Sequence, residues 1–106
     1  MPIVNVGQAD DFAEETVTQV VVGERYLAIY RLAGGDLCAT SDICTHGQSF
    51  LSDGWITDEG AIECALHGGC FDIRTGKGLG APIEKDLETY PIRVGENGEV
   101  LVELGD

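Results

Sequence analysis

Short stretches of alternating apolar and polar residues recur along the chain, and this two-residue period is typical of β-strands with one buried face. No stretch keeps a 3.6-residue apolar period over two or three turns, so no long amphipathic helix is predicted. Strands are predicted at 2–7, 16–22, 25–33, 36–39, 87–94 and 99–104. The chain is therefore predicted to be all-β, built as a small antiparallel sandwich or barrel.

Turn residues separate these predicted strands. Gly23-Glu24 and Gly34-Gly35 divide the three strands between 16 and 39, which are therefore expected to form a meander. Asn97-Gly98 is the strongest hairpin signal in the chain and joins its last two strands. Pro91 restricts its own strand to a sheet edge or a bulge, because proline has no backbone N–H to donate.

Length and composition bound the organisation of the chain. Its 106 residues, of which 43% are hydrophobic, fit one globular domain spanning 1–106. No apolar run is long enough to span a bilayer, and the N-terminus lacks the features of a signal peptide. The expected location is therefore the cytoplasm, where thiols stay reduced. The net charge of −13, from 19 acidic and 6 basic residues, disfavours nucleic acid and anionic membranes as partners.

Both histidines of the chain follow a cysteine at short spacing. Cys44 and His46 form the first pair, and Cys64 and His67 form the second, with seventeen residues between the pairs. Two thiolates and two imidazoles suit a tetrahedral zinc site, and they also suit a two-iron cluster in which two histidines replace two cysteines on one iron. Common zinc fingers take both histidines from a helix, whereas here each loop supplies one ligand of each kind. This mixture favours the cluster, and zinc stays the alternative.

The two pairs, the glycines after the second pair and the later segment Gly80-Ala81-Pro82 together resemble the Rieske [2Fe–2S] family. In length and strand pattern the chain resembles the stand-alone Rieske ferredoxins of bacterial aromatic-ring dioxygenases. The resemblance implies a Rieske fold, in which a lobe at about 42–83 is inserted into a β base. It also implies that Cys44 and Cys64 hold the inner iron, while His46 and His67 hold the outer iron.

Further residues of the three loops are predicted to contact the cluster. The glycines of the first two loops permit tight turns with backbone N–H groups directed at the cluster sulfurs. The resemblance makes Pro82 part of a rigid third loop that shields the cluster. The predicted cofactor-binding residues beyond the four metal ligands are therefore Gly47, Gln48, Gly68, Gly69 and Pro82.

Departures from high-potential Rieske proteins bear on the reduction potential. Ser49 and Leu66 stand where those proteins have two disulfide-bonded cysteines, so that bridge cannot form. Gly69 and Phe71 stand where those proteins place serine and tyrosine hydroxyls near the cluster sulfurs. Because hydrogen bonds to the sulfurs stabilise the reduced cluster, their loss predicts a potential toward the low end of the roughly −150 to +300 mV Rieske range.

The remaining residues of note are given structural roles. Cys38 and Cys70 are predicted to be buried thiols that pack in the core and form no disulfide. Trp55, the only tryptophan, is predicted to pack beneath the lobe, with a role in docking as the alternative. Six acidic residues are expected to be solvated surface, where those near the cluster could guide docking: Asp42, Asp53, Asp58, Glu59, Glu63 and Asp72.

The resemblance implies an electron carrier and not a catalyst. It would take one electron at a time from a flavin-containing ferredoxin reductase and pass it to a terminal Rieske non-haem iron oxygenase that hydroxylates an aromatic ring. The carrier is expected to be a monomer that docks transiently. The alternatives are a Rieske subunit of a nitrite reductase or monooxygenase complex, and a structural zinc-binding module.

Overall fold

The computed structural model describes residues 3–45, 49–65, 68–79 and 85–104. Within these ranges the chain forms β-strands and two short 3₁₀ turns, at Ala9–Asp11 and Leu51–Asp53, with no α-helix. No helix in the described part of the chain is long and apolar enough to cross a membrane. The strands are β1 (Ile3–Gln8), β2 (Thr16–Val22), β3 (Arg25–Arg31), β4 (Leu37–Ser41), β5 (Trp55–Ile56), β6 (Ala61–Glu63), β7 (Cys70–Asp72), β8 (Thr89–Tyr90), β9 (Ile92–Val94) and β10 (Glu99–Glu103). The all-β prediction is confirmed.

Two antiparallel sheets form the base. One has the order β2-β3-β4-β8 and the other β1-β10-β9. The predicted meander is confirmed, since β2, β3 and β4 are neighbours in chain order. Val22 pairs with Arg25 across the two-residue turn, where Gly23 has a φ of 60° that favours glycine. The hairpin at Asn97-Gly98 is also confirmed, with Gly98 at a φ of 81° between β9 and β10.

Pro91 marks the point where the chain passes from one base sheet to the other. The single strand predicted at 87–94 is wrong: β8 pairs with β4, and β9 pairs with β10. Both lie at sheet edges, as a strand next to proline requires. The Pro91 carbonyl accepts a hydrogen bond from the backbone N–H of Glu103 at 2.9 Å, which leads the chain into the second sheet.

Strand β3 is buried on both faces and separates two cores. Leu27 and Ile29 point into a core shared with Val100 and Val102 of β10. Ala28 and Tyr30 point the other way, into a core whose other buried members include both ligand-loop cysteines. The uninterrupted apolar run at 27–30 is explained by this double burial. The two cysteines of the predicted metal site are therefore part of this second core.

A third sheet, β5-β6-β7, lies between β4 and β8 in the sequence. Its strands were not predicted, because two or three residues are too few to show an alternating pattern. Together with the flanking loops these strands correspond to the predicted inserted lobe. The bounds at about 42–83, and the single domain over 1–106, stay predictions, since residues 80–84 lie outside the described ranges.

Gly76 is expected to be sensitive to substitution. It has a φ of 78°, and a Cβ there would overlap the carbonyl oxygen of Leu87, whose backbone N–H donates to the Gly76 carbonyl at 2.6 Å. We expect Gly76→Ala to lower the free energy of unfolding by about 2–4 kcal/mol, from backbone strain together with the steric overlap. Chemical denaturation followed by circular dichroism measures this loss.

Gly60 provides the matched control, since it has a φ of 80° and open space around its Cα. We expect Gly60→Ala to cost about 1–2 kcal/mol, from backbone strain alone. Equal losses in the two variants would show that the approach of Leu87 to Gly76 contributes nothing.

Candidate metal centre

The two predicted ligand loops close in the same way. The backbone N–H of Cys44 donates to the Ser49 carbonyl at 3.0 Å, and that of Cys64 donates to the Gly69 carbonyl at 2.8 Å. In both loops the cysteine is therefore bonded to the residue five positions later. The second loop is tightened by a further bond, from the Gly68 N–H to the Cys64 carbonyl at 3.0 Å. Gly68 has a φ of 69°, a conformation that favours glycine.

An extended pair of residues closes each loop at its two ends. Ile43 pairs with Phe50 on either side of the first loop, and Glu63 pairs with Cys70 on either side of the second. The first loop follows directly from β4, and the second connects β6 to β7. The two cysteines are therefore the first residues of two similarly built turns.

Both loop cysteines turn their side chains into the protein. Cys44 is 3% exposed and Cys64 is 0% exposed, and both belong to the core that also contains Leu51, Ile62 and Phe71. None of the four cysteines, all of which lie within the described residues, forms a disulfide. Two buried sulfurs from neighbouring loops, shielded from water by apolar side chains, are a suitable donor set for a soft metal centre. The described half of the predicted ligand set thus fits an iron–sulfur cluster.

Several predicted site residues lie outside the described ranges, and their roles stay predictions. They are His46, Gly47, Gln48, His67 and Pro82.

The ends of the third loop lie against the two ligand loops. The Leu79 N–H donates to the carbonyl of Cys70 at 2.9 Å, just after the second ligand loop. On the other side, the Thr45 hydroxyl donates to the Lys85 carbonyl at 3.0 Å, which joins the first ligand loop to the return of the third. The second of these bonds joins residues that are 40 positions apart in the sequence.

Asp42 fixes the base of the first ligand loop. Its side chain is fully buried, and its carboxyl oxygens accept hydrogen bonds from the Gln19 amide at 2.8 Å and from the Ser52 N–H and hydroxyl, both at 2.7 Å. Its backbone is held as well, since its N–H donates to the Tyr26 carbonyl at 2.9 Å. Burial raises the pKa of the Asp42 carboxyl, against the opposing effect of the Ser52 and Gln19 hydrogen bonds. The prediction that Asp42 is solvated surface is wrong.

Sequence reasoning also missed a side-chain contact between the ligand loops. The Ser49 Oγ lies 2.9 Å from the Cys64 Sγ. Ser49 was considered only as a position that lacks a disulfide cysteine. The sequence did contain one indication of this contact: a serine, which can donate a hydrogen bond to sulfur, lies within a predicted ligand loop.

The two other cysteines and Trp55 are more exposed than predicted. Cys38 and Cys70 are half-buried, and burial raises the pKa of both thiols, so they stay protonated at neutral pH. The carboxylate of Glu63, 3.8 Å from the Cys70 Sγ, raises the pKa of that thiol further. Trp55 is 50% exposed, so the prediction that it packs beneath the lobe is wrong.

Comparison with known proteins agrees with this geometry. A model of the Rieske [2Fe–2S] domain matches residues 3–91. The chain is 41% identical over 100 residues to the anthranilate 1,2-dioxygenase ferredoxin subunit of Burkholderia cepacia, covering 94% of this chain and 90% of that protein. It is 43% identical over 94 residues to the ferredoxin component of the naphthalene 1,2-dioxygenase system of Pseudomonas putida, covering 89% and 88%.

A solved structure shares the whole fold. The complex of reduced oxygenase and oxidised ferredoxin in carbazole 1,9a-dioxygenase contains a chain that is 40% identical to this one, with a TM-score of 0.85. The match covers 94% of this chain and 100% of that chain.

The chain belongs to the Rieske [2Fe–2S] family. Within it, the chain is an electron carrier of the ferredoxin type found in ring-hydroxylating dioxygenase systems, and it is not itself a catalytic enzyme. Its cofactor is one Rieske-type [2Fe–2S] cluster, which decides between the cluster and the zinc site that the donor set alone left open.

Proposed function

We propose that this ferredoxin accepts one electron at a time from a flavin-containing reductase and delivers it to a terminal Rieske non-haem iron oxygenase. The observation that carries the proposal is the pair of similarly closed loops, each presenting a buried cysteine to one core. The complex of oxygenase and ferredoxin in carbazole 1,9a-dioxygenase supports the choice of oxygenase as partner. A flavin-containing reductase is proposed as the donor because the carrier accepts single electrons, so its donor must divide the electron pair of a two-electron reductant.

We propose that Cys44 and Cys64 hold the inner iron and that His46 and His67 hold the outer iron. The near-complete burial of both cysteine side chains supports their part of this assignment. The bound cluster supplies reversible one-electron chemistry. The two thiolates offset the charge of roughly +2 on two ferric ions and two sulfides, so an added electron leaves the site at about −1. The remaining proposed cofactor contacts are Gly47, Gln48, Gly68, Gly69 and Pro82, with Gly68 supporting the turn because its N–H already donates to the Cys64 carbonyl.

The reduction potential is expected toward the low end of the roughly −150 to +300 mV Rieske range. Phe71 is fully buried and carries no hydroxyl, and Gly69 has no side chain to donate. Two hydrogen bonds that would stabilise the reduced cluster are therefore missing. Protein-film voltammetry on the holoprotein measures the midpoint, and a value well above zero would contradict this expectation.

Reconstituted turnover tests the proposed partners. The holoprotein is mixed with NADH, a flavin-containing reductase and the terminal oxygenase of a related dioxygenase system, and formation of hydroxylated aromatic product is followed. We expect product formation to require this chain, and we expect the reductase to bleach its visible spectrum. If the reductase reduces this chain but no hydroxylated product forms, the result would instead favour the alternative, in which the chain is a subunit of a nitrite reductase or monooxygenase complex.

We further propose that the chain works as a single-domain monomer in the cytoplasm. Support comes from the four cysteines, none of which is in a disulfide, and from the net charge of −13, which opposes self-association. The same charge disfavours nucleic acid and anionic membranes as partners. Size-exclusion chromatography of the holoprotein checks the oligomeric state, and a stable dimer at micromolar concentration would contradict it.

A further inference from the structure

The Ser49 hydroxyl reaches from the first ligand loop to the sulfur of the second. Its Oγ lies 2.9 Å from the Cys64 Sγ, although the two residues are 15 positions apart. The backbone of Ser49 is fixed independently of this contact, because its carbonyl accepts the N–H of Cys44 and its neighbour Phe50 pairs with Ile43. The position of the hydroxyl is therefore a consequence of how the loop closes.

The chemistry of the pair decides which atom donates. In the thiol form either atom can donate the proton. A cysteine that binds iron is a thiolate and has no proton, so the Ser49 hydroxyl must donate to it. Ser49 is half-buried, and its partner Cys64 is fully buried in a core of apolar side chains. A hydrogen bond to a charged sulfur is strengthened by such weakly polar surroundings.

We propose that Ser49 tunes the reduction potential of this ferredoxin through its hydrogen bond to the Cys64 thiolate. The inference rests on the proposed role of Cys64 as an iron ligand. Reduction adds negative charge that spreads onto the ligand sulfurs, so a donor to the Cys64 Sγ stabilises the reduced state more than the oxidised state. Ser49 thus acts through Cys64 as a positioning residue. It partly compensates for the hydroxyls that are missing at Gly69 and Phe71.

The test is the midpoint potential of purified holoprotein variants, measured by voltammetry in the absence of any partner protein. We expect Ser49→Ala to lower the midpoint, with a roughly fivefold lower ratio of reduced to oxidised protein at a fixed solution potential. Ser41→Ala is the control, because its hydroxyl lies near the same loop and accepts from the Ile43 N–H at 3.3 Å. We expect that control to keep the midpoint of the unaltered chain.

A second pair of variants keeps the test decisive if Ser49→Ala fails to retain the cluster. Ser49→Thr keeps a hydroxyl, and Ser49→Val has nearly the same volume without one. A lower midpoint potential in Ser49→Val than in Ser49→Thr supports the proposal, and equal midpoint potentials in the two variants overturn it. An unchanged midpoint in Ser49→Ala with full iron content also overturns it and leaves the electron-carrier function standing. That function fails separately, if the unaltered chain lacks a reducible Rieske spectrum.

Discussion

Cys64→Ala is expected to abolish the cluster, with loss of both iron atoms, the acid-labile sulfide and the visible spectrum. The Cys64 side chain is fully buried at the start of the second ligand loop, so water has little access to replace its sulfur. Cys44→Ala is expected to behave in the same way, because Cys44 begins the equivalent turn. The lobe should also be destabilised, since cluster binding contributes to its folding free energy.

The chain offers two cysteine controls for this experiment. Cys38 and Cys70 are half-buried, and burial raises the pKa of both thiols, so neither presents a thiolate at neutral pH. We expect Cys38→Ala and Cys70→Ala to keep full iron content and an unchanged spectrum. Iron and sulfide analysis with electron paramagnetic resonance of the reduced proteins makes the comparison. A Cys64→Ala protein with the full spectrum would refute the ligand assignment, and loss of the cluster in Cys70→Ala would refute the packing role of Cys70.

The base of the fold was predictable because its signals are local. Strand β2 was predicted with its observed bounds, since a run of β-branched residues ends at the turn formed by Gly23. Pro91 was predicted at a sheet edge because proline has no backbone N–H to donate. The passage from one sheet to the other at Pro91 was not predictable, because it depends on the pairing of β8 with the distant strand β4.

The chemistry of the site was predictable from residue types, and its supporting contacts were not. Cys44 and Cys64 were identified from their spacing to the histidines, and both lie within the residues that the family model matches. The contacts that hold them join residues far apart in sequence: Ser49 and Cys64 are 15 positions apart, and Gln19 and Asp42 are 23 apart. No periodic pattern records such pairs. From the sequence alone, an acidic residue or a serine in a polar segment is therefore predicted to be exposed, because its hydrogen-bond partner is identified only by the fold.

Asp42→Ala is expected to cause a large loss of stability, although Asp42 is not one of the predicted ligands. The alanine would leave the Gln19 amide and both the N–H and the hydroxyl of Ser52 without their acceptor. Losing three hydrogen bonds to a carboxyl that is itself fully buried is expected to lower the free energy of unfolding by about 3–4 kcal/mol. Chemical denaturation of the holoprotein measures this loss, and iron content after dialysis shows whether the first ligand loop still holds the cluster.

Two control substitutions separate the buried hydrogen bonds from the loss of a charge. Asp36→Ala removes an exposed carboxylate that contacts Arg74 at 2.8 Å, and we expect little change because solvent screens exposed pairs. Asp42→Asn keeps an acceptor oxygen and nearly the same shape, so it should retain much of the stability that alanine loses. The raised pKa of Asp42 supports this expectation, because burial already disfavours the charged form. If Asp42→Ala costs no more than Asp36→Ala, the buried carboxyl does not support the ligand loop; if asparagine fails as badly as alanine, both carboxyl oxygens are required as acceptors.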